Sequence, residues 1–142
     1  MTHAAEDRVR MGKDSRPKPT VVIADDDLEI LTMVRTLLRR RDVKLVEASD
    51  GEEAMRLIRE NEPDLVVLDV MMPGMSGWEI CKTIREDADL SETGVIMLTG
   101  IGERLNEMTS PLYGADAYLD KPFELTDLDE AVSQVLADRG FE

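Results

Sequence analysis

Apolar residues in this chain follow two alternating rhythms. Continuous runs at Thr20 to Ala24 (TVVIA), Leu65 to Asp69 (LVVLD) and Val95 to Leu98 (VIML) read as strands. Strands covered by helices on both faces lose the in-and-out alternation of half-exposed ones, so such runs imply a buried parallel sheet. Between them the spacing changes to three and four. Ile30, Leu31, Val34, Leu37 and Leu38 mark one helical face, closed by Arg39 to Asp42, and Ala54, Leu57 and Ile58 mark another over Glu52 to Glu60, stopped by Pro63. Lys44 to Ala48 adds a strand, Trp78 to Glu86 a helix, and Arg104 to Met108 a weak helix. Ala117 to Leu119 then forms a fifth strand, before a last helix carrying Leu128, Val132, Val135 and Leu136.

Five successive strand-helix units predict an α/β fold with a mostly parallel sheet, right-handed crossovers and helices on both faces. Such sheets bind ligands beyond the carboxyl ends of their strands. Asp25 and Asp26 follow the first strand, Asp69 ends the third, Thr99 follows the fourth and Lys121 follows the fifth. Each has an ordinary reading when taken alone: a helix cap, a strand-end hydroxyl, a solvated charge. Together they converge on one rim. Asp69 ends a fully apolar run, and Pro73, Gly74 and Gly77 then turn the chain, so its carboxylate belongs at the lip of the sheet.

Three carboxylates drawn together repel, each pair by on the order of 1 to 4 kcal/mol at about 4 Å. A divalent cation removes that conflict. Hard oxygen ligands, with room left for water and a phosphoryl group, suit Mg²⁺ rather than Zn²⁺. Lys121 and Thr99 would complete a cage around phosphoryl oxygens, with Asp69 as the nucleophile that becomes an aspartyl phosphate.

Composition limits the alternatives. With 142 residues, 42% hydrophobic and 34% charged, the chain fits one globular domain, and a second folded output domain is not expected. The single cysteine, Cys81, leaves no intrachain disulfide or multi-thiolate metal site and reads as a packed hydrophobe beside Ile80 and Ile84. No run approaches a membrane span and the N-terminus lacks a signal's apolar centre, so a cytoplasmic location and no membrane contact are expected. The net charge is −14; residues 1 to 18 carry five basic and three acidic residues, so the remainder is still more acidic. Direct nucleic acid binding is therefore not expected. Residues 1 to 19 read as a disordered extension, with His3 given no role, ahead of a domain over residues 20 to 140.

The segments VVIADDDLEIL, LVVLDVMMPGMSGWEI, VIMLTG and GADAYLDKPF resemble, in order and spacing, the receiver domain of two-component response regulators, of the single-domain chemotaxis type, across roughly residues 20 to 138. The resemblance implies a flavodoxin-like, doubly wound fold with five parallel strands ordered 2-1-3-4-5, an order that general accounts of the fold illustrate with a member of this family. It implies Asp69 as phosphoacceptor, Asp26 and, through water, Asp25 as metal ligands with the Met71 carbonyl, and Mg²⁺ as the cofactor. Thr99 and Lys121 match the switch hydroxyl and the phosphate-binding lysine, and Tyr118 matches the switch aromatic. A cis Lys121–Pro122 bond is also implied. The implied donors are a histidine kinase or phosphotransfer protein, replaceable by small acyl phosphates. The implied listener is a downstream effector, bound through the helix after the fourth strand, the fifth strand and the last helix, a face that also allows a homodimer.

Some positions depart from the family pattern. Gly100, Gly102 and Pro111 give the helix before the fifth strand poor intrinsic support, so the stretch from Gly100 to Tyr113 is expected to be the least stable and the main site of change. Asp120 stands where an uncharged residue is usual and is expected to face solvent. Met71 is expected to shield the acyl phosphate from water. Two rival readings are a phosphorylation-independent scaffold, opposed by the intact Asp26, Asp69, Thr99 and Lys121, and a haloacid-dehalogenase-like phosphatase, whose nucleophile would follow the first strand. Nucleotide enzymes fit less well, because neither GxGxxG nor GxxxxGK[ST] follows that strand.

Overall fold

The computed structural model describes residues 18 to 100 and 114 to 141. The elements run β1 (Thr20–Ala24), α1 (Leu28–Leu38), β2 (Lys44–Ala48), α2 (Gly51–Asn61), β3 (Leu65–Asp69), α3 (Gly77–Glu86), β4 (Gly94–Thr99), β5 (Ala117–Asp120) and α4 (Leu125–Asp138). The five strands form one parallel sheet ordered β2-β1-β3-β4-β5. This is the order the sequence resemblance implied. The expected weak helix at Arg104 to Met108, and most of the stretch expected to be least stable, lie outside the described residues, as do residues 1 to 17.

Alternation along the central strands builds two apolar layers. Val22, Ala24, Val66, Leu68, Val95 and Met97 face α2 and α3, while Val21, Ile23, Leu65, Val67, Ile96 and Leu98 face α1 and α4. Every residue of β3 and β4 is buried, which explains their unbroken apolar runs. Cys81 is fully buried on the α3 side, and that burial pushes its thiol up to about 11. It is the packed hydrophobe the sequence suggested. Among the described residues no helix is long and apolar enough to cross a membrane.

Local chemistry sets where the helices begin. Asp27 caps α1 by accepting the Glu29 N–H, Asp50 caps α2 by accepting that of Glu53, and Ser76 with Glu79 forms a reciprocal capping box on α3. The far end of the sheet is tied by arginines. Arg85 donates to the carbonyls of Gly114, Ser91 and Thr93 and to the Asp116 carboxylate, which also accepts from the Val95 N–H and from Arg139. The Lys121–Pro122 peptide is cis, as the resemblance implied.

The turn after β3 is tightly fitted. The Val70 N–H donates to the Leu98 carbonyl, continuing the ladder one step past Asp69, and the Gly77 N–H returns to the Val70 carbonyl at 2.8 Å. A Cβ on Gly77 would lie 2.5 Å from the Asp69 carbonyl oxygen and 3.0 Å from Val70 Cα. Both obstacles are backbone, so no rotamer relieves them. Gly77→Ala is expected to destabilise the protein by about 1 to 3 kcal/mol, read as a lower urea midpoint with unchanged slope. An unchanged midpoint would show that the turn can shift freely.

Candidate functional site

Strand ends deliver the site. β1 runs into Asp25, β3 finishes on Asp69 and β5, beyond β4, is followed by Lys121, so parallel strands of one sheet bring these side chains to one edge. Asp25 is 1% exposed and Asp69 4%, whereas Asp26 stands out in solvent. One carboxylate oxygen from each of the three lies within 4.8 Å of the others. The Lys121 ammonium sits between the two buried acids, 2.9 Å from Asp25 Oδ2 and 3.1 Å from Asp69 Oδ1, and donates a hydrogen bond to the latter.

The electrostatics are unbalanced. Burial pushes the Asp69 carboxyl up to about 7, the Asp25 charge adds to that rise, and Lys121 opposes it without cancelling it. Burial alone would lower the Lys121 pKa, but its contacts with Asp25 and Asp69 prevail and hold it above the ordinary lysine value. Asp25 is anchored through Oδ1, which accepts the Asp27 N–H. Its buried Oδ2 has the lysine at ion-pair distance but no aligned hydrogen-bond donor. That oxygen, with Asp69 and the exposed Asp26 beside it, fits a hard cation with some coordination positions left to solvent.

Thr99 is brought to the same edge, but its hydroxyl points elsewhere. It is 1% exposed, and Oγ1 lies 2.9 Å from Asp120 Oδ1 and 3.3 Å from the Leu119 carbonyl. Asp120 is exposed, as expected, and in addition its carboxylate accepts from the Thr99 hydroxyl. Register explains the pairing. Thr99 and Asp120 are partners in the β4–β5 ladder, and register partners share a face. The sequence marks Asp120 only as an unusual charge; its pairing with Thr99 depends on the register between the two strands.

Tyr118 is half-buried, its ring centroid 5.9 Å from that of Trp78 at the start of α3. The sequence reading gave Trp78 no role beyond opening a helix. The Met71 side chain is 60% exposed beside the rim. Met71 follows Asp69 by two residues, so its carbonyl belongs to the turn that leaves β3.

Comparison with known proteins follows the same lines. The profile of the family described as "Response regulator receiver domain" matches residues 21–133. "Probable transcriptional regulator ycf27" of Guillardia theta is 39% identical over 123 residues, covering 87% of this chain and 47% of that protein. "Alkaline phosphatase synthesis transcriptional regulatory protein PhoP" of Bacillus subtilis is 34% identical over 116 residues, covering 82% of this chain and 48% of its own. This chain spans about half the length of the curated relatives it matches. Among solved structures, a putative response regulator from Chloroflexus aurantiacus aligns with a TM-score of 0.78 at 34% identity, covering 85% of this chain and 99% of that one. The chemotaxis response regulator CheY4 of Vibrio cholerae aligns at 0.77 and 28%, covering 84% and 99%. With the profile spanning most of its length and a relative more than a third identical, this chain belongs to the response regulator receiver domain family.

Proposed function

We propose that residues 20 to 140 form the phosphoacceptor of a cytoplasmic two-component pathway. Asp69 takes a phosphoryl group from a phosphohistidine on a histidine kinase or phosphotransfer protein, and the modified domain changes its binding to a downstream effector protein. The observation that carries this reading is the Asp69 carboxylate itself, buried at the strand end and hydrogen-bonded by Lys121 opposite Asp25. It is a signalling role, in which the domain catalyses only its own phosphorylation and dephosphorylation. The net charge of −14 favours a protein partner over direct contact with nucleic acid.

The step is a displacement at phosphorus. An Asp69 oxygen forms the new O–P bond while the donor's N–P bond breaks and its electron pair stays on the imidazole. Lys121, already pointed at Asp69, balances charge on the phosphoryl oxygens as it develops. Asp25, Asp26, Asp69 and the Met71 carbonyl are the groups that would hold Mg²⁺, which supplies positive charge to the acids and to the transferring group. Thr99 then engages the product, with Tyr118 responding, and β5 with α4 carries the change to the partner. The segment between Gly100 and Gly114 that belongs to the same switch lies outside the described residues.

Two outcomes are expected. An acid whose folded pKa is raised contributes stability that is fully present below its unfolded value near 3.8 and is lost as pH rises through about 7. Without divalent cations, Asp69→Asn should therefore be more stable than wild type at pH 8, by on the order of 1 to 4 kcal/mol, with the gap closing towards pH 4. Paired thermal melts across that range check it, and a gap of constant size would refute the electrostatic account. Incubation with acetyl phosphate and Mg²⁺ should add one phosphate by intact mass, with none on Asp69→Asn and much less on Asp26→Ala. Equal labelling of Asp69→Asn would overturn the assignment.

A further inference from the structure

We propose that Asp120 is a positioning residue for the switch: it holds the Thr99 hydroxyl away from the phosphoryl site, so that Thr99 must leave Asp120 before it can engage phosphorylated Asp69. This rests on the phosphoacceptor reading of Asp69 and goes beyond it by assigning a latch to the neighbouring strand end.

The geometry is specific. Thr99 ends β4 and Asp120 ends β5 as register partners, which places both side chains on one face. Thr99 is almost wholly buried and its hydroxyl has two acceptors in reach, Asp120 Oδ1 at 2.9 Å and the Leu119 carbonyl at 3.3 Å. A hydroxyl carries one proton, and an ionised carboxylate can only accept, so the direction of the bond is fixed. The nearer, charged acceptor holds the proton, since charge-assisted hydrogen bonds are the stronger kind. Phosphoryl oxygens are also acceptors. The single Thr99 proton cannot serve Asp120 and the phosphoryl group together, so one bond forms only at the expense of the other.

Lys121 is the next residue, yet it turns to Asp25 and Asp69. The Asp120–Lys121 pair therefore sends its two charges to different tasks: the lysine to the reacting centre, the aspartate to the switch hydroxyl. The latch lowers the fraction of molecules in which Thr99 is free, and the apparent affinity of anything that needs Thr99 falls by that fraction. Asp120 is exposed at its outer side, so substitution there removes the acceptor without opening the core. Tyr118 lies two residues earlier on β5 and packs near Trp78, the only tryptophan of the chain, which provides an optical reporter.

Beryllofluoride with Mg²⁺, which stands in for the phosphoryl group on Asp69, is the probe. Its affinity is measured by calorimetry and by Trp78 fluorescence for wild type, Asp120→Ala, Asp120→Asn, Thr99→Val and the Thr99→Val/Asp120→Ala double variant. Asp120→Ala should bind about 3- to 30-fold more tightly than wild type, the size expected when a hydrogen bond to a charged, partly solvated acceptor no longer opposes the switch. Asp120→Asn should fall between them, because it keeps an acceptor but not the charge. In the Thr99→Val background the gain from Asp120→Ala should shrink below about twofold, since only coupled residues lose additivity. Wild-type affinity in Asp120→Ala would overturn the latch. So would an equal gain in the Thr99→Val background, which would assign the effect to removal of a negative charge near the phosphoryl group. Absence of binding in every variant, wild type included, would instead remove the phosphoacceptor reading and the latch with it.

Discussion

Two buried carboxylates sharing one ammonium at the ends of parallel strands set the terms for the rest of the molecule. Asp25 and Asp69 sit where water cannot solvate them fully, and Lys121 supplies one positive charge to two negative ones, with Asp26 adding a third at the surface. A satisfied ion pair would be quieter. Here burial, with the Asp25 charge added to it, raises the Asp69 pKa although a lysine touches it. Such a site gains from any added cation and from any reaction that changes the charge on Asp69. The instability is local and chemical, and a rigid frame has to hold it in place.

The frame is assembled away from the rim. Both sheet faces are closed by apolar layers, and the central strands are buried along their whole length. At the opposite end of β4 and β5, Arg85 and Arg139 grip Asp116, and Arg85 also collects the loop carbonyls before both strands. Those bonds fix where β4 and β5 start. Their ladder then fixes where they stop, and so where Thr99 and Lys121 stand relative to Asp69. The Asp116 cluster is neutralised by two guanidinium groups whereas the rim is not, so one end of the sheet is electrostatically closed and the other is left short of positive charge.

Much of this was legible in the chain, for reasons that differ by element. Strands β1 and β3 match their predicted limits because continuous apolar runs bounded by polar residues admit little else, and β2, a mixed KLVEA segment at the sheet edge, matches its limits as well. Helix α1 starts two residues ahead of its first inward apolar residue, and α2 starts at Gly51, because caps rather than the hydrophobic stripe set helix beginnings. Asp25, Asp69 and Lys121 could be placed together because each follows a strand and strand ends of a parallel sheet share one edge. The Thr99–Asp120 bond could not be foreseen in the same way. It depends on the register between β4 and β5, and those strands are joined by a long crossover, which unlike a tight hairpin turn does not dictate register. The contact between Trp78 and Tyr118 escaped for a similar reason, since it joins elements far apart in sequence through the shape of a packed face.

Register also explains how the charged site and the Thr99–Asp120 bond can share so little space. Successive residues of a strand point to opposite sides, so a strand that ends in Asp120 and continues into Lys121 presents two different groups to two different neighbours. Lys121 reaches across to β3 and β1, where the charge imbalance lies. Asp120 stays with its register partner on β4. The Asp69 carboxylate and the Thr99 hydroxyl are therefore linked through adjacent backbone units, and the Lys121 N–H donates to the Thr99 carbonyl. A change in the charge on Asp69 alters the pull on Lys121, and Lys121 cannot shift its backbone without disturbing Thr99. Coupling of this kind needs no large motion and no distant pathway, only two strand ends whose hydrogen bonds share one backbone step.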